Sequence, residues 1–161
     1  MYRRDLSIVA FSILLASVGA DDKAPPMPKK GGPSEIEQKV IDQTNAERKK
    51  AELPALKPNA TLMKAARSHS ENMAKQDMLA HELDGKGPDA RLDDLGYKHL
   101  AVAENCAAGQ RTPEEVVASW MESEPHKANI LGEKYTEVGV GLAKTADGKI
   151  YWTLLFAAPR K

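Results

Sequence analysis

Four short segments of this chain set an imidazole or a carboxylate beside small residues or an aromatic. They are Leu79-Ala80-His81; Ala103-Glu104-Asn105; Ser119-Trp120-Met121, running on to Pro125-His126-Lys127-Ala128-Asn129-Ile130-Leu131; and Tyr135-Thr136-Glu137-Val138-Gly139-Val140-Gly141. Brought to one cleft, they would supply two imidazoles and one or two carboxylates. Such groups hold zinc-type ions and also move protons near neutral pH. No His-Glu-x-x-His helix is present, which excludes a standard zincin. Ser68, Ser70 and Thr136 lie outside any recognised nucleophile elbow. The single cysteine, Cys106, forbids an intrachain disulfide, and its small apolar neighbours from Ala101 to Ala108 mark it as a buried, inert thiol.

The elements that must position these groups are legible from periodicity. Ser34-Glu35-Ile36-Glu37 is a capping box, and Ile36, Val40, Ile41 and Thr44 recur at helical spacing, which predicts a first helix to about Lys50. Asn59 is the next N-cap, and Leu62, Met63, Ala66, His69, Met73 and Met78 predict a second helix over about Thr61 to Ala80. Asn59-Ala60-Thr61 is also formally a glycosylation sequon, though the cap explains it more economically. Asp89 caps a short helix through Leu95, stopped by Gly96. Val102 to Ala107 reads as a short extended segment, and Thr112-Pro113-Glu114-Glu115 as a further helix start. A helical turn is expected around His126 to Leu131. The period then changes: Val138, Val140 and Leu142 alternate, Asp147-Gly148 marks a tight turn, and Ile150, Trp152, Leu154 and Phe156 alternate again, predicting a β-hairpin. Helices first and strands last imply an α+β domain with an antiparallel sheet covered by helices.

Residues 1–20 read as a secretory signal peptide: Arg3-Arg4, an apolar run from Leu6 to Val18, then Val18-Gly19-Ala20. The alternative is an uncleaved anchor, but the run is shorter than the roughly 20 residues a spanning helix needs. No membrane span is expected after cleavage. Residues 21–33, rich in Pro, Lys, Gly and Asp, read as a flexible linker, and 34–161 as one domain. Formal charge is zero for the whole chain, and loss of Arg3, Arg4 and Asp5 leaves it near −1, with no basic stripe to suit nucleic acid. The expected protein is secreted, to a periplasm or the medium, and monomeric.

Taken in order, Asn45-Ala46-Glu47-Arg48, His69-Ser70-Glu71-Asn72-Met73-Ala74, Ala80-His81, Ala103-Glu104-Asn105, Trp120-Met121, His126 to Leu131, Thr136 to Gly141 and Tyr151-Trp152-Thr153 with Phe156 resemble the CAP superfamily over about Ile36 to Ala158. That superfamily holds cysteine-rich secretory proteins, insect venom antigen 5 and plant pathogenesis-related proteins. This chain is most similar to its bacterial secreted, SCP-like branch. The resemblance implies a three-layer α-β-α sandwich. It also implies a cleft in which two His and two Glu can hold a divalent ion. The first His maps onto His81 and the first Glu onto Glu104, with Ala103 where Gly is usual. The second Glu follows a Trp in the family; Glu122 and Glu124 stand near Trp120 without aligning cleanly. Where the second His is usual, the chain has Lys134 before Tyr135-Thr136-Glu137, so His126 in the bacterial-type Pro125-His126-Lys127 turn takes over the imidazole. Glu137 is the candidate for the remaining carboxylate.

The expected binding cleft is therefore His81, Glu104, His126 and Glu137, with His81 and His126 as metal ligands and Glu104 and Glu137 as catalytic candidates. Plainer roles compete. His81 suits a helix C-terminus; Glu104 could bond backbone or Tyr151; His126 could pack the turn before Ile130; Glu137 could pair with Lys134. His69 reads as a packed helix histidine, His99 as a solvated loop residue, and Asn105 and Asn129 as partners for loop backbone. The resemblance implies an extracellular binding module for a divalent metal such as zinc, for lipid or sterol, or for an envelope protein. The alternatives are a metal-assisted hydrolase using the same cleft and a structural envelope domain.

Overall fold

The computed structural model describes residues 32–160. The signal-peptide reading and nearly all of the linker lie outside those residues. The chain forms α1 (Glu35–Lys50), β1 (Lys57–Pro58), α2 (Ala60–Gln76), α3 (Pro88–Asp94), β2 (His99–Ala108), α4 (Pro113–Glu122), α5 (Glu124–Ile130), β3 (Glu137–Lys144) and β4 (Ile150–Pro159). The sheet order is β1-β3-β4-β2. The β3–β4 hairpin and the β2–β4 pair are antiparallel, whereas the two-residue β1 pairs with β3 in parallel, a strand the sequence pattern did not announce.

Helix starts follow their caps. Ser34 and Glu37 form the capping box, with the Ser34 amide donating to Glu37 Oε2 at 2.6 Å and the Glu37 amide to Ser34 Oγ at 3.4 Å. Asn59 Oδ1 accepts from the Thr61 and Leu62 amides. Two helix boundaries differ from expectation. α2 stops at Gln76 because Asp77 turns into the left-handed region at φ 48° and the Met78 amide donates back to the Met73 carbonyl at 3.0 Å, closing the helix. Met78 and Leu79 are consequently exposed in the following loop. α3 starts two residues earlier than an Asp89 cap requires: Gly87 is the N-cap and Pro88 takes the first turn, where its missing N–H costs no helical bond.

Three layers result. One face of the sheet packs Val138, Val140, Trp152, Leu154 and Phe156 against α1, α4 and α5 through Val40, Ile41, Val116, Val117, Trp120 and Ile130. The other packs Leu155 and Ala157 against Leu62, Ala65 and Ala66 of α2 and Leu92 of α3. β4 is thus buried on both faces from Ile150 to Ala157. Motifs that carried only a resemblance acquire physical reasons. Asn45 brackets Leu56, donating to its carbonyl at 3.1 Å and accepting from its amide at 2.8 Å. Arg48 is fully buried and donates to the carbonyls of Pro54, Ile130, Gly132 and Tyr135, gathering α1, α5 and the approach to β3.

Gly139 and Gly141 set how closely α2 sits on the sheet. A Cβ at Gly139 would lie 2.2 Å from the Leu62 backbone, and one at Gly141 would lie 2.3 Å from that of Ala66. Only a residue without Cβ permits this approach. Gly141→Ala is therefore expected to cost about 3 kcal/mol, the upper range for overpacking, read as a lower urea midpoint at unchanged slope. A midpoint equal to wild type would mean that α2 does not rest on β3 backbone to backbone.

Candidate functional site

The Ala103-Glu104-Asn105 segment lies mid-strand in β2, an edge strand, where neighbouring side chains point to opposite faces. Glu104 faces the layer of α2 and α3. Asn105 faces α5, where its Nδ2 donates to the His126 carbonyl at 3.0 Å and its Oδ1 accepts from Asn129 at 2.8 Å. Asn129 also donates to the Glu104 carbonyl, at 3.4 Å. One strand edge thereby holds elements of both outer layers.

The Glu104 side chain is only 2% exposed. A buried carboxylate is costly unless paired and hydrogen-bonded. Three cationic or potentially cationic groups surround it. His81 Nδ1 donates to Oε1 at 3.1 Å, Arg91 Nη2 donates to Oε2, and His69 Nε2 stands 3.7 Å from Oε1. Cys106 Sγ also donates to Oε1, at 3.4 Å. Burial alone would raise the Glu104 pKa, but the His81 hydrogen bond and the Arg91 charge hold it below the usual value. Tyr151, weighed as a partner for Glu104, instead donates to Asp77 at 2.7 Å.

The two histidines near Glu104 differ. His69 is buried, and its Nε2–H donates to the Ala80 carbonyl at 2.8 Å. Burial pushes its pKa down, so it stands neutral as the packed helix histidine expected. His81 follows in the loop after α2, with its side chain 55% exposed. Its hydrogen bond to Glu104 raises its pKa. Because an ionised carboxylate only accepts, the His81 Nδ1 carries the proton and Nε2 keeps its lone pair in the neutral ring.

His126 sits in the first turn of α5, half-buried. Burial, and then the charge of nearby His81, lower its pKa and favour a neutral ring. Glu137 is two strands from Glu104 across the sheet. Its Oε2 accepts from Tyr97 at 2.6 Å and from Asn59 at 2.9 Å, so its contacts tie β3 to α2 and the loop after α3. The Lys134 side chain lies over the Tyr135 ring instead of pairing with Glu137. His99 opens β2, stacked on Tyr97 and 3.4 Å from Asp93, not in a loop.

The ligand atoms of His69, Glu104 and Cys106 lie within 4.8 Å of one another, a span that one metal ion can bridge. Their chemistry does not suit a metal. His69 Nε2–H is committed to Ala80, Arg91 already neutralises Glu104, and burial with the adjoining carboxylate drives the Cys106 thiol far above its ordinary pKa. Arg91 was absent from the expected site. The signal that pointed to it was general: an ionised carboxylate in an apolar strand demands a buried cation, and Arg91 stands on the short helix closing over that strand. Beside this cluster a cavity of about 240 Å³ opens between α2 and α3, lined by His69 and Arg91 together with Lys64, Asn72 and Asp84.

The family profile for CAP, described as the cysteine-rich secretory protein family, matches residues 41–156. This chain belongs to the CAP family. The CAP domain is 40% identical over 124 residues to a Bacillus subtilis protein described as uncharacterized protein YkwD, covering 76% of this chain and 47% of that one. A second Bacillus subtilis relative, described as an uncharacterized membrane protein, is 29% identical over 116 residues, 71% of this chain and 32% of that one. The chain therefore spans half or less of these curated relatives. Among solved structures, an extracellular SCP-domain protein of Bacillus anthracis superposes with a TM-score of 0.69 at 28% identity, covering 78% of this chain and 40% of that one. An outer surface protein of Borrelia burgdorferi shares the fold, with a TM-score of 0.72 at 24% identity over 76% of this chain and 92% of that one. Among the described residues, no helix is long and apolar enough to cross a membrane.

The ionic cluster makes stability pH-dependent. The Glu104 pKa is lowered on folding, so its contribution is present above its ordinary value of 4.5 and is lost as pH falls through the folded value. The His81 pKa is raised, so its contribution is full below its ordinary 6.5 and fades as pH rises through the folded value. Glu104→Gln leaves Arg91 without its counter-charge and is expected to cost about 3 kcal/mol at neutral pH while flattening the acid limb of the stability curve. Denaturant unfolding at several pH values checks both. An unchanged acid limb would remove Glu104 from the linkage.

Proposed function

We propose that this CAP domain is an extracellular binding module whose cleft takes a divalent metal ion, of the zinc type, on His81 and His126. One observation carries the reading: Glu104 holds His81 through Nδ1, and the ring is half-exposed. A carboxylate behind a ligating histidine fixes its tautomer and raises its basicity. His126, tied to the same strand through its carbonyl and favouring a neutral ring, supplies the second imidazole. Imidazole nitrogen suits zinc among common divalent ions. Glu104, closed in by Arg91, is the orienting group behind His81 and not itself a ligand. Glu137, held by Tyr97 and Asn59, is a structural carboxylate in this reading.

Secretion is part of the proposal. Support comes from the apolar run near the N-terminus and from the extracellular description of the Bacillus anthracis relative. The second reading, a metal-assisted hydrolase, is favoured by the same histidine–carboxylate pair, since an imidazole oriented by a carboxylate also suits a catalytic metal ligand. A bound ion would supply a polarised water at that position.

The test is calorimetric titration of zinc into the secreted protein, beside His81→Ala and His126→Ala. One zinc per chain is expected, with affinity lowered at least ~100-fold in either variant, a loss of the size that follows disruption around metal ligands. Failure of the intact protein to bind zinc would sink the metal reading and turn attention to lipid vesicles and envelope proteins. Peptide or ester turnover lost in folded His81→Ala would establish the hydrolase.

A further inference from the structure

His81 lies in an irregular loop. α2 ends at Gln76, and the next regular contact is the isolated bridge between Leu83 and Lys86. The loop is anchored on both sides of His81. His69 donates to the Ala80 carbonyl at 2.8 Å, and Leu83 is buried with Met73, Cys106 and Tyr151. Neither anchor hydrogen-bonds His81 itself.

Arg91 does. Its Nη1 donates to the His81 carbonyl at 3.0 Å and to the Lys86 carbonyl at 2.9 Å. Its Nη2 donates to Glu104 Oε2, while Glu104 Oε1 accepts from His81 Nδ1. These contacts close a ring: the guanidinium grips the backbone of His81 at one nitrogen and the carboxylate that orients its imidazole at the other. The Arg91 side chain is only 11% exposed, and both of its Nη groups are committed to these acceptors, while its Nε is buried without a partner. α3, started by Pro88 and with Leu92 fully buried against α2, fixes where the fork stands.

We propose that Arg91 is the positioning residue of the cleft, holding His81 by its main chain and by its side-chain partner at once, so that a loop imidazole presents a fixed Nε2. The proposal rests on His81 being the cleft ligand, and it deepens that reading. A lysine at the same place would keep one positive charge but lose the planar fork that reaches carbonyl and carboxylate together. Charge alone would still favour an ionised Glu104. The geometry linking Glu104 to the His81 backbone would be gone.

The experiment uses the secreted protein and its Arg91→Lys and Arg91→Gln variants. The first readout is the nitrogen NMR signature of the His81 ring, free of metal, at a pH where the ring is neutral. Wild type is expected to show one tautomer, protonated at Nδ1; folded Arg91→Lys is expected to show a mixture. The second readout is zinc affinity, expected to fall ~10- to 100-fold, the range for loss of an outer-shell partner. The third needs no variant: the Arg91 Nη protons of wild type should exchange slowly and resolve individually. A mixed tautomer in Arg91→Lys with a wild type that binds no zinc would keep Arg91 as the positioning residue and remove only the metal reading. A single Nδ1–H tautomer retained in a folded variant, or Arg91 protons exchanging like those of an exposed arginine, would overturn the proposal.

Discussion

The site is organised by one electrostatic requirement: an ionised carboxylate, Glu104, is taken out of water in the middle of an edge strand. Low local polarisability makes an unpaired charge there untenable. The fold answers with a guanidinium from α3, an imidazole from the α2–α3 loop and a second, neutral imidazole from α2. These groups come from segments well apart in sequence. Two of them are also held by backbone carbonyls, Arg91 on His81 and Lys86, His69 on Ala80. The same arrangement separates two kinds of histidine. His69 is buried and bonded to Ala80, while His81 is bonded to Glu104 and half-exposed.

That arrangement requires α2 to lie close against the sheet. The Val-Gly-Val-Gly stretch of β3 lets the α2 backbone touch the strand backbone, which fixes the depth of His69 and the exit point of the following loop. Strand alternation does the rest. Glu104 and Asn105, adjacent in sequence, face opposite layers, so one edge strand holds the loop of His81 on one side and α5 with His126 on the other. On the α5 face, Arg48 closes the structure with four backbone carbonyls, which also sets where α5 ends and β3 begins.

Membership of the CAP family states a fold more firmly than it states chemistry. The Bacillus relatives compared extend well beyond this chain, so their activities belong to longer proteins. What this domain contributes by itself is a compact polar cluster with a half-exposed imidazole. Most of its polar groups are paired with one another, so the cluster is ordered by its own contacts. The His69–Glu104–Cys106 trio illustrates the other side of this point. Proximity of potential ligand atoms does not make a metal site when their protons and charges are already committed.

Helix caps, helical faces and the terminal hairpin were legible in the sequence because they rest on contacts a few residues apart. The Ser34 box, the Asn59 cap and the Asp147-Gly148 turn need nothing beyond local geometry. The end of α2 was misjudged because Met78 continues the apolar period, while the left-handed Asp77 that stops the helix carries no such mark. Parallel pairing of β1 with β3 escaped for a related reason: two residues hold no period. At the site, Glu104 and His81 were legible through motif resemblance, but Arg91 was not, since its partner lies on another element and nothing in its neighbourhood distinguishes it from a surface arginine. Glu137 shows the same limit in reverse: its motif named it, yet Tyr97 and Asn59 reach it only across the fold. The sequence by itself determined which segments would be helix, strand and turn, because those depend on local hydrogen bonds and on periodic burial. Which charges would be buried together was decided by tertiary structure alone, because burial is a property of packed layers and not of neighbours along the chain.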